Sequence, residues 1–408
     1  MPKLQVRQRI GYGGEARVRD GRDMRTKLNR AHEWISDACS QISVRERLIF
    51  KPWQIADVND VHVALQDSSV RQALLISNPC TIADAEALVV QWAAESYYAN
   101  PVIECAVVEA ETRDIVGSAT IRFSGTRPRA AELDYVVYPL FRHHGYAVDV
   151  VRMLTDLALE RGAARVELCC ALDDLARAKT ALAAGLRYEG VLRGAILTLR
   201  GEDSAAVFAR LPGDSGAPVR AALPELPANG IGDGVIVLRV ATAADAVALH
   251  AEQSNTEARR WALLEPPSAT EVAARAARAG LEWLVGPAGL MVIVDNASGQ
   301  VAGRIVLRAV VPPQVADVGY GVLPAFRGRG YAARALRVLA GWTFEEAGYA
   351  RLELGVKPGN AASRAVALSG GFMPEGTRGG RLRVDDDSFS DELHFSLVNP
   401  RYRIADAS

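Results

Sequence analysis

Phe326-Arg327-Gly328-Arg329-Gly330-Tyr331-Ala332 has an earlier counterpart in the same chain, Phe141-Arg142-His143-His144-Gly145-Tyr146-Ala147. Each copy follows a segment of strand-like alternation, Asp317 to Leu323 or Glu132 to Tyr138, and is reached through Pro324 or Pro139. Each also opens an amphipathic helical pattern. A strand, a glycine turn and a helix start predict an anion cradle. The first helical N–H groups lack intrahelical partners and sit at the positive end of the helix dipole, so they can grip a phosphate. Gly330 allows close backbone approach, and Arg327 and Arg329 add charge.

The duplication extends over most of the 408 residues. Asp57 corresponds to Asp245, Gly117 to Gly303, Arg142 to Arg327 and Glu189-Gly190 to Glu375-Gly376, at offsets of 188, 186, 185 and 186. Such constant spacing predicts two domains of ordinary size with few insertions between them. The expected division is an extension at 1–44, a first domain at 45–212, a linker rich in Pro, Gly and Ala at 213–233, a second domain at 234–402 and a tail at 403–408. In the second copy the patterns predict strands at Val235–Arg239, Leu290–Asp295, Val301–Arg308, Asp317–Val322 and Arg351–Val356, with a last strand pair from about Arg381 to Leu397. Helices are expected at Ala243–His250, Ala269–Ala279, Ala332–Ala347 and Ala361–Ser369, the last stopped by Gly370-Gly371. The fold class is α/β, a mixed sheet with helices on both faces.

Hydrophobic residues make up 49% and charged residues 23%, enough for a sizeable core, and the formal net charge is −1. That balance argues against wholesale binding to nucleic acid or to a membrane surface. The arginines between Arg7 and Arg25 are interrupted by Glu15, Asp20 and Asp23, and read as a solvated segment ahead of a helix near 22–40. No apolar run reaches membrane-spanning length, and the polar start of the chain points to a cytoplasmic protein. Cys39, Cys80, Cys105, Cys169 and Cys170 have no metal-like spacing and read as reduced thiols. His143-His144 has no third ligand at a recognisable spacing, so no metal is expected.

Arg-x-x-Gly-x-Ala after such a strand resembles the acetyl-coenzyme A loop of the GNAT N-acetyltransferases. Asn360-Ala361-Ala362-Ser363 followed by Gly371-Phe372-Met373-Pro374-Glu375-Gly376 resembles the ribosomal-protein alanine acetyltransferases within that superfamily, RimJ and RimL. The resemblance implies tandem GNAT folds that take acetyl-CoA or another acyl-CoA. The residues it implies for cofactor binding are Val322, Arg327, Gly328, Arg329, Gly330, Tyr331, Ala332, Asn360 and Ser363. Asn360 would help hold coenzyme A, and Ser363 would protonate the leaving thiolate; the plainer readings are a helix cap and a hydroxyl bonded to its own backbone.

The first copy carries Asp174 where the second has Asn360, and Arg177 where it has Ser363. Asp174 would repel a phosphorylated ligand and Arg177 would crowd an acyl group, so the second copy is expected to be catalytic and the first degenerate. Direct attack by an amine in a ternary complex is the expected chemistry, because Val235 to Ser408 contains no cysteine nucleophile. For the general base, Asp317, Glu257 and Asp391 are candidates, with a water chain as the alternative. The acceptor would be a peptide or protein N-terminus or an amine-bearing metabolite, and the protein a monomer or homodimer. A non-catalytic acyl-CoA sensor or scaffold is the competing reading, and an active first domain is a third.

Overall fold

The structure is a computed structural model that describes residues 47–95, 102–124, 129–199, 201–262, 265–310, 312–384 and 388–402. The helix expected near 22–40, Cys39, the acidic run Asp385-Asp386-Asp387 and the tail at 403–408 lie outside the described residues. The chain divides into two units between Arg220 and Ala221.

In the first unit β1 (Leu48–Lys51) precedes α1 (Val58–Ala64), α2 (Ser68–Ala73) and α3 (Ile82–Glu95). Strands β2 (Val102–Glu109), β3 (Ile115–Phe123) and β4 (Ala130–Val137) lead to α4 (Tyr146–Glu160), and β5 (Arg165–Ala171) leads to α5 (Leu175–Ala183). The hairpin β6 (Arg187–Thr198) and β7 (Gly201–Arg210) completes a sheet ordered β1-β2-β3-β4-β5-β7-β6. Only β4 and β5 pair in parallel; the other neighbours are antiparallel.

The second unit repeats the plan. It begins with β8 (Ile231–Gly232) and β9 (Ile236–Val240), then α6 (Ala246–Ser254), α7 (Thr256–Trp261), α8 (Ala269–Ala277) and α9 (Ala279–Val285). Strands β10 (Ala288–Asp295), β11 (Val301–Val310) and β12 (Val315–Val322) follow, then α10 (Tyr331–Glu345), β13 (Arg351–Val356), α11 (Ala361–Ser369) and the pair β14 (Met373–Arg383) and β15 (Phe389–Val398). The order is β14-β15-β13-β12-β11-β10-β9-β8. Side chains alternate across a strand, so β10 feeds two cores. Met291 and Ile293 pack with Leu336 and Leu339 of α10, while Leu290 and Val292 pack with Leu249 of α6 and Val272 of α8.

Several expectations shift. The short helices α7 and α9 were not read from the pattern, because six or seven residues give too little periodicity to count. Strand β14 starts at Met373, eight residues before the expected last strand pair, and is exposed along almost all of its length. With no buried alternate positions it has no hydrophobic period, and pairing to β15 defines it. The segment expected as a linker is tied down on both sides of the division. Val219 donates to Leu182 O at 2.8 Å, while Leu223 is buried beside Trp283, whose indole donates to Pro224 O at 2.8 Å.

Both sheets repeat one electrostatic pin. Arg165 binds Glu167 and Glu189, and Arg351 binds Glu353 and Glu375. Arg351 and Ser396 draw the Glu375 carboxyl down to about 2. Glu375 is therefore held as an anion above that pH, next to a β-bulge whose Gly376 has φ +138°. Burial pushes the thiols of Cys169 and Cys170 up to about 12, which leaves them unreactive at neutral pH.

Phe372, 1% exposed, closes the core where α11 turns back into β14. Phe372→Ala should destabilise the second unit by about 3–5 kcal/mol. Urea unfolding of the full chain followed by near-ultraviolet dichroism would measure it, and an unmoved transition would contradict the packing described.

Candidate active site

The parallel pairing of β12 and β13 stops at Asp317 opposite Glu353, although β12 runs on to Val322 and β13 to Val356. The two strands diverge there and open a wedge. Leu323 N–H donates to Ala302 O at 2.8 Å, toward β11. By alternation, the N–H groups of Val322 and Tyr320 face the other edge, which β13 has left.

The cradle lies at the mouth of this wedge. Gly328 and Gly330 have φ of +73° and +76°, and a Cβ on either would meet nothing within 4 Å. Arg334 N–H bonds Gly330 O at 3.0 Å, leaving those of Tyr331, Ala332 and Ala333 at the helix start without an intrahelical partner. A cavity of about 1140 Å³ includes this loop, Val322, Asn360 and Ser363 in its walls. All nine residues expected to bind cofactor therefore line one space, as does Glu257.

The arginines divide by role. Arg327 Nε donates to Val322 O at 3.1 Å, its Nη2 donates to Asn255 Oδ1 at 3.0 Å, and its Nη1 pairs with Glu257. Asn255 also caps α7. The first copy builds the same strut, with Arg142 reaching Val137 O at 3.2 Å and Ser69 Oγ at 2.9 Å. Arg327 thus ties the loop to strand and helix, whereas sequence reasoning assigned it to the ligand alone. One ion pair beside the cradle has reversed polarity between the copies: Arg47 with Asp149 in the first, Asp233 with Arg334 in the second. The second copy carries the cation on the cradle helix.

Sequence reasoning missed Tyr320. Its hydroxyl lies 2.8 Å from Ser363 Oγ and 3.2 Å from Ser363 O, and burial pushes its ionisation up to about 12. It is a neutral phenol at physiological pH. Asn360 Oδ1 accepts from Ser363 N–H at 3.0 Å, which is the capping role, and its amide NH₂ end remains for the cavity.

In the first copy the cap survives as Asp174, bonded to Arg177 N–H at 3.0 Å. Arg177 itself is buried between the diverging strands, paired with Asp134 and set 4.6 Å from the centre of the Tyr135 ring. Tyr135 is the counterpart of Tyr320, so the tyrosine is kept and the guanidinium stands where the second copy has the Ser363 hydroxyl. His143 adopts φ +64° where Gly328 stands in the second copy, so the loop conformation outlasts its glycine.

Asp317 does not line the cavity; Arg308 binds its carboxylate, with Nε at 2.9 Å. Asp391 is also outside, accepting from Gly380 N–H at 2.9 Å in the β14–β15 hairpin. A carboxylate not expected from the sequence, Glu252, is buried in the cavity wall and takes Arg304 Nε at 2.6 Å. It sits against the bare backbone of Gly321, where any Cβ would collide with it. Among the described residues no group of three or more His, Cys, Asp or Glu could hold a metal, and no helix is long and apolar enough to cross a membrane.

A doubled mixed sheet in which one parallel strand pair splays over a helix-start anion cradle defines a class of group-transfer protein. The description "Acetyltransferase (GNAT) domain" matches residues 47–187 and 236–373, and the chain belongs to that family with the domain present twice. It is 28% identical over 106 residues to the probable N-acetyltransferase YjcK of Bacillus subtilis, a match that covers 26% of this chain and 57% of that protein. Among solved structures it is similar to RimJ of Mycobacterium smegmatis in complex with CoA-disulfide, at 24% identity over 44% of this chain and 90% of that one, with a TM-score of 0.37. It is also similar to the ribosomal-protein-S5-alanine acetyltransferase of Vibrio fischeri, at 20% identity over 41% and 96%, with a TM-score of 0.37.

If Arg327 is a strut, Arg327→Ala should loosen the loop even without ligand, by about 1–3 kcal/mol for one ion pair and two hydrogen bonds. Hydrogen exchange of the 326–332 amides would report it, and unchanged protection would return Arg327 to a purely ligand-facing role.

Proposed function

We propose that the second unit transfers an acetyl or other acyl group from coenzyme A to a primary amine, and that the first unit is a degenerate copy without that chemistry. The observation that carries this reading is the Tyr320–Ser363 pair, in the same cavity as an open two-glycine cradle, where the first copy holds buried Arg177. The residues present fit coenzyme A: the glycines leave the cradle clear, unpartnered N–H groups face it, and the cavity joins it to Ser363. When bound, the thioester supplies an activated acyl carbon and a thiolate leaving group.

The chain's own contributions follow from the geometry. The N–H groups of Tyr331, Ala332 and Ala333 bind diphosphate charge, aided by the dipole of α10. The edge N–H groups of Tyr320 and Val322 hold the donor's amide arm and polarise the acyl oxygen. Ser363 Oγ holds a proton for the departing sulfur, and Tyr320, kept neutral by burial, completes the short relay behind it. A C–S bond breaks and a C–N bond forms, with one proton leaving the amine and one reaching sulfur.

Of the carboxylates lining the cavity, Glu252 and Glu257 are each committed to an arginine, and Glu265 is exposed. With no free buried carboxylate lining the cavity among the described residues, an acceptor that deprotonates easily is favoured. At pH 7 neutralising an α-amine costs about 1.4 kcal/mol, against about 4.6 for a lysine amine. A peptide or protein N-terminus, or a small α-amine, fits best. The same commitment of both carboxylates favours an acyl-CoA sensor as the second reading.

Turnover followed by thiol release, with donor affinity from calorimetry, separates the two. Ser363→Ala and Tyr320→Phe should each lower kcat by about 10²-fold while donor affinity changes little. Equal, small effects on both quantities would support the sensor. Because the Tyr320 ionisation is raised, its proton is retained through neutral pH and lost only as pH approaches about 12. The rate should therefore rise through the acceptor's own ionisation, near about pH 8 for an α-amine, with no fall from the phenol below pH 10.

A further inference from the structure

Three arginines converge on the part of the cavity away from the cradle. Arg304 and Arg308 share a face of β11 with Val306, which packs against Leu249 of α6 and Val272 and Ala276 of α8. Arg275 projects from α8 beside Ala276, and all three line the cavity. Their counter-charges are too few. Glu252 takes Arg304 through Nε, and Asp317 takes Arg308 through Nε and Nη2. Arg275 has no hydrogen-bonded or ion-paired partner among the described residues. Burial first, and then repulsion from Arg304, outweigh the attraction of Glu282 and, with Arg308 and Arg278, bring its ionisation below the usual arginine range.

The arginines also border the point of chemistry. Glycines at 319 and 321 leave the same face of β12 bare on either side of Tyr320. A Cβ at Gly319 would lie 3.0 Å from Arg308 Nη2, and one at Gly321 would collide with Glu252. The guanidinium and the carboxylate therefore lie directly over the strand whose opposite edge lines the wedge. In the first copy the corresponding positions are Ser118 for Arg304, and Asp134 and Val136 for Gly319 and Gly321. Arg122 keeps the Arg308 position, but that copy lacks the Arg304 cation and the bare strand, so the complete cluster belongs to the second unit.

We propose that this cluster is an acceptor subsite for an oxyanion: the acceptor presents, beside its amine, a carboxylate or phosphate that Arg275 takes together with the remaining N–H groups of Arg304 and Arg308. This rests on the acyl-transfer reading of the same cavity. A half-buried guanidinium crowded by two others is stabilised by an opposite charge, and a bidentate oxyanion is the ligand whose geometry matches it.

Matched acceptors test this in the full chain. Alanyl-glutamate amide, alanyl-glutamine amide, alanyl-lysine amide and alanyl-phosphoserine amide are compared with acetyl-CoA as donor. An anionic member should exceed the glutamine one at least about tenfold in kcat/KM, the measure of one charge-assisted hydrogen-bonded contact. Arg275→Gln should erase that preference without changing coenzyme A affinity. The glutamate and phosphoserine arms identify which oxyanion is preferred. In parallel, calorimetry with N-acetyl-alanyl-glutamate amide and its phosphoserine analogue, with and without saturating coenzyme A, should show binding weakened at least about tenfold by Arg275→Gln. Arg275-dependent binding without any transfer would leave the subsite standing and remove the acyl-transfer reading. Transfer with no anionic preference, or probes that fail to bind or bind Arg275→Gln equally, would overturn the subsite.

Discussion

The second unit depends on where two parallel strands stop pairing. Beyond Asp317 and Glu353 the ladder between β12 and β13 ends, and backbone N–H and C=O groups on β12 lose the partners a sheet would give them. Polar backbone in a protein interior must be satisfied, so such an edge takes either a ligand or a side chain. The cradle, the Tyr320–Ser363 pair and the arginine cluster are all positioned around that edge.

The two copies answer the same constraint in opposite ways. In the first, Arg177 enters the gap, donates to the edge carbonyl of Tyr135 at 3.4 Å, pairs with Asp134 and lies against the Tyr135 ring. In the second, the residue at that position is a small hydroxyl, Ser363, while glycines at 319 and 321 let Arg308 and Glu252 lie close over the strand. The scaffold around the gap is nearly unchanged: the Arg327 and Arg142 struts, the Asn360 and Asp174 caps, and the Arg351 and Arg165 pins all recur. The residues that hold the strands and loop in place are therefore largely separate from those that differ between the copies.

Charge follows the same division. The reversed pair beside the cradle puts Arg334 on the cradle helix of the second copy and Asp149 on that of the first. Near a helix start an acid suits the dipole of an empty cradle, and a base suits a cradle meant for an anion.

Much of this was legible in the residues themselves. The repeated loop, the constant offsets and the motif from Asn360 to Gly376 marked two related folds and gathered nine cavity residues, because these are local signals carried by glycines, caps and hydrophobic period. β13 and α11 were read to their observed ends for the same reason. What needed the tertiary structure was the partner of each charge. Arg327 with Glu257, Asp317 with Arg308, Glu252 with Arg304 and Tyr320 with Ser363 join residues 70, 9, 52 and 43 positions apart. No pattern along the chain encodes such meetings. Sequence determines which groups can carry charge or donate a proton, while only packing decides which are already neutralised by a neighbour and which still face the cavity.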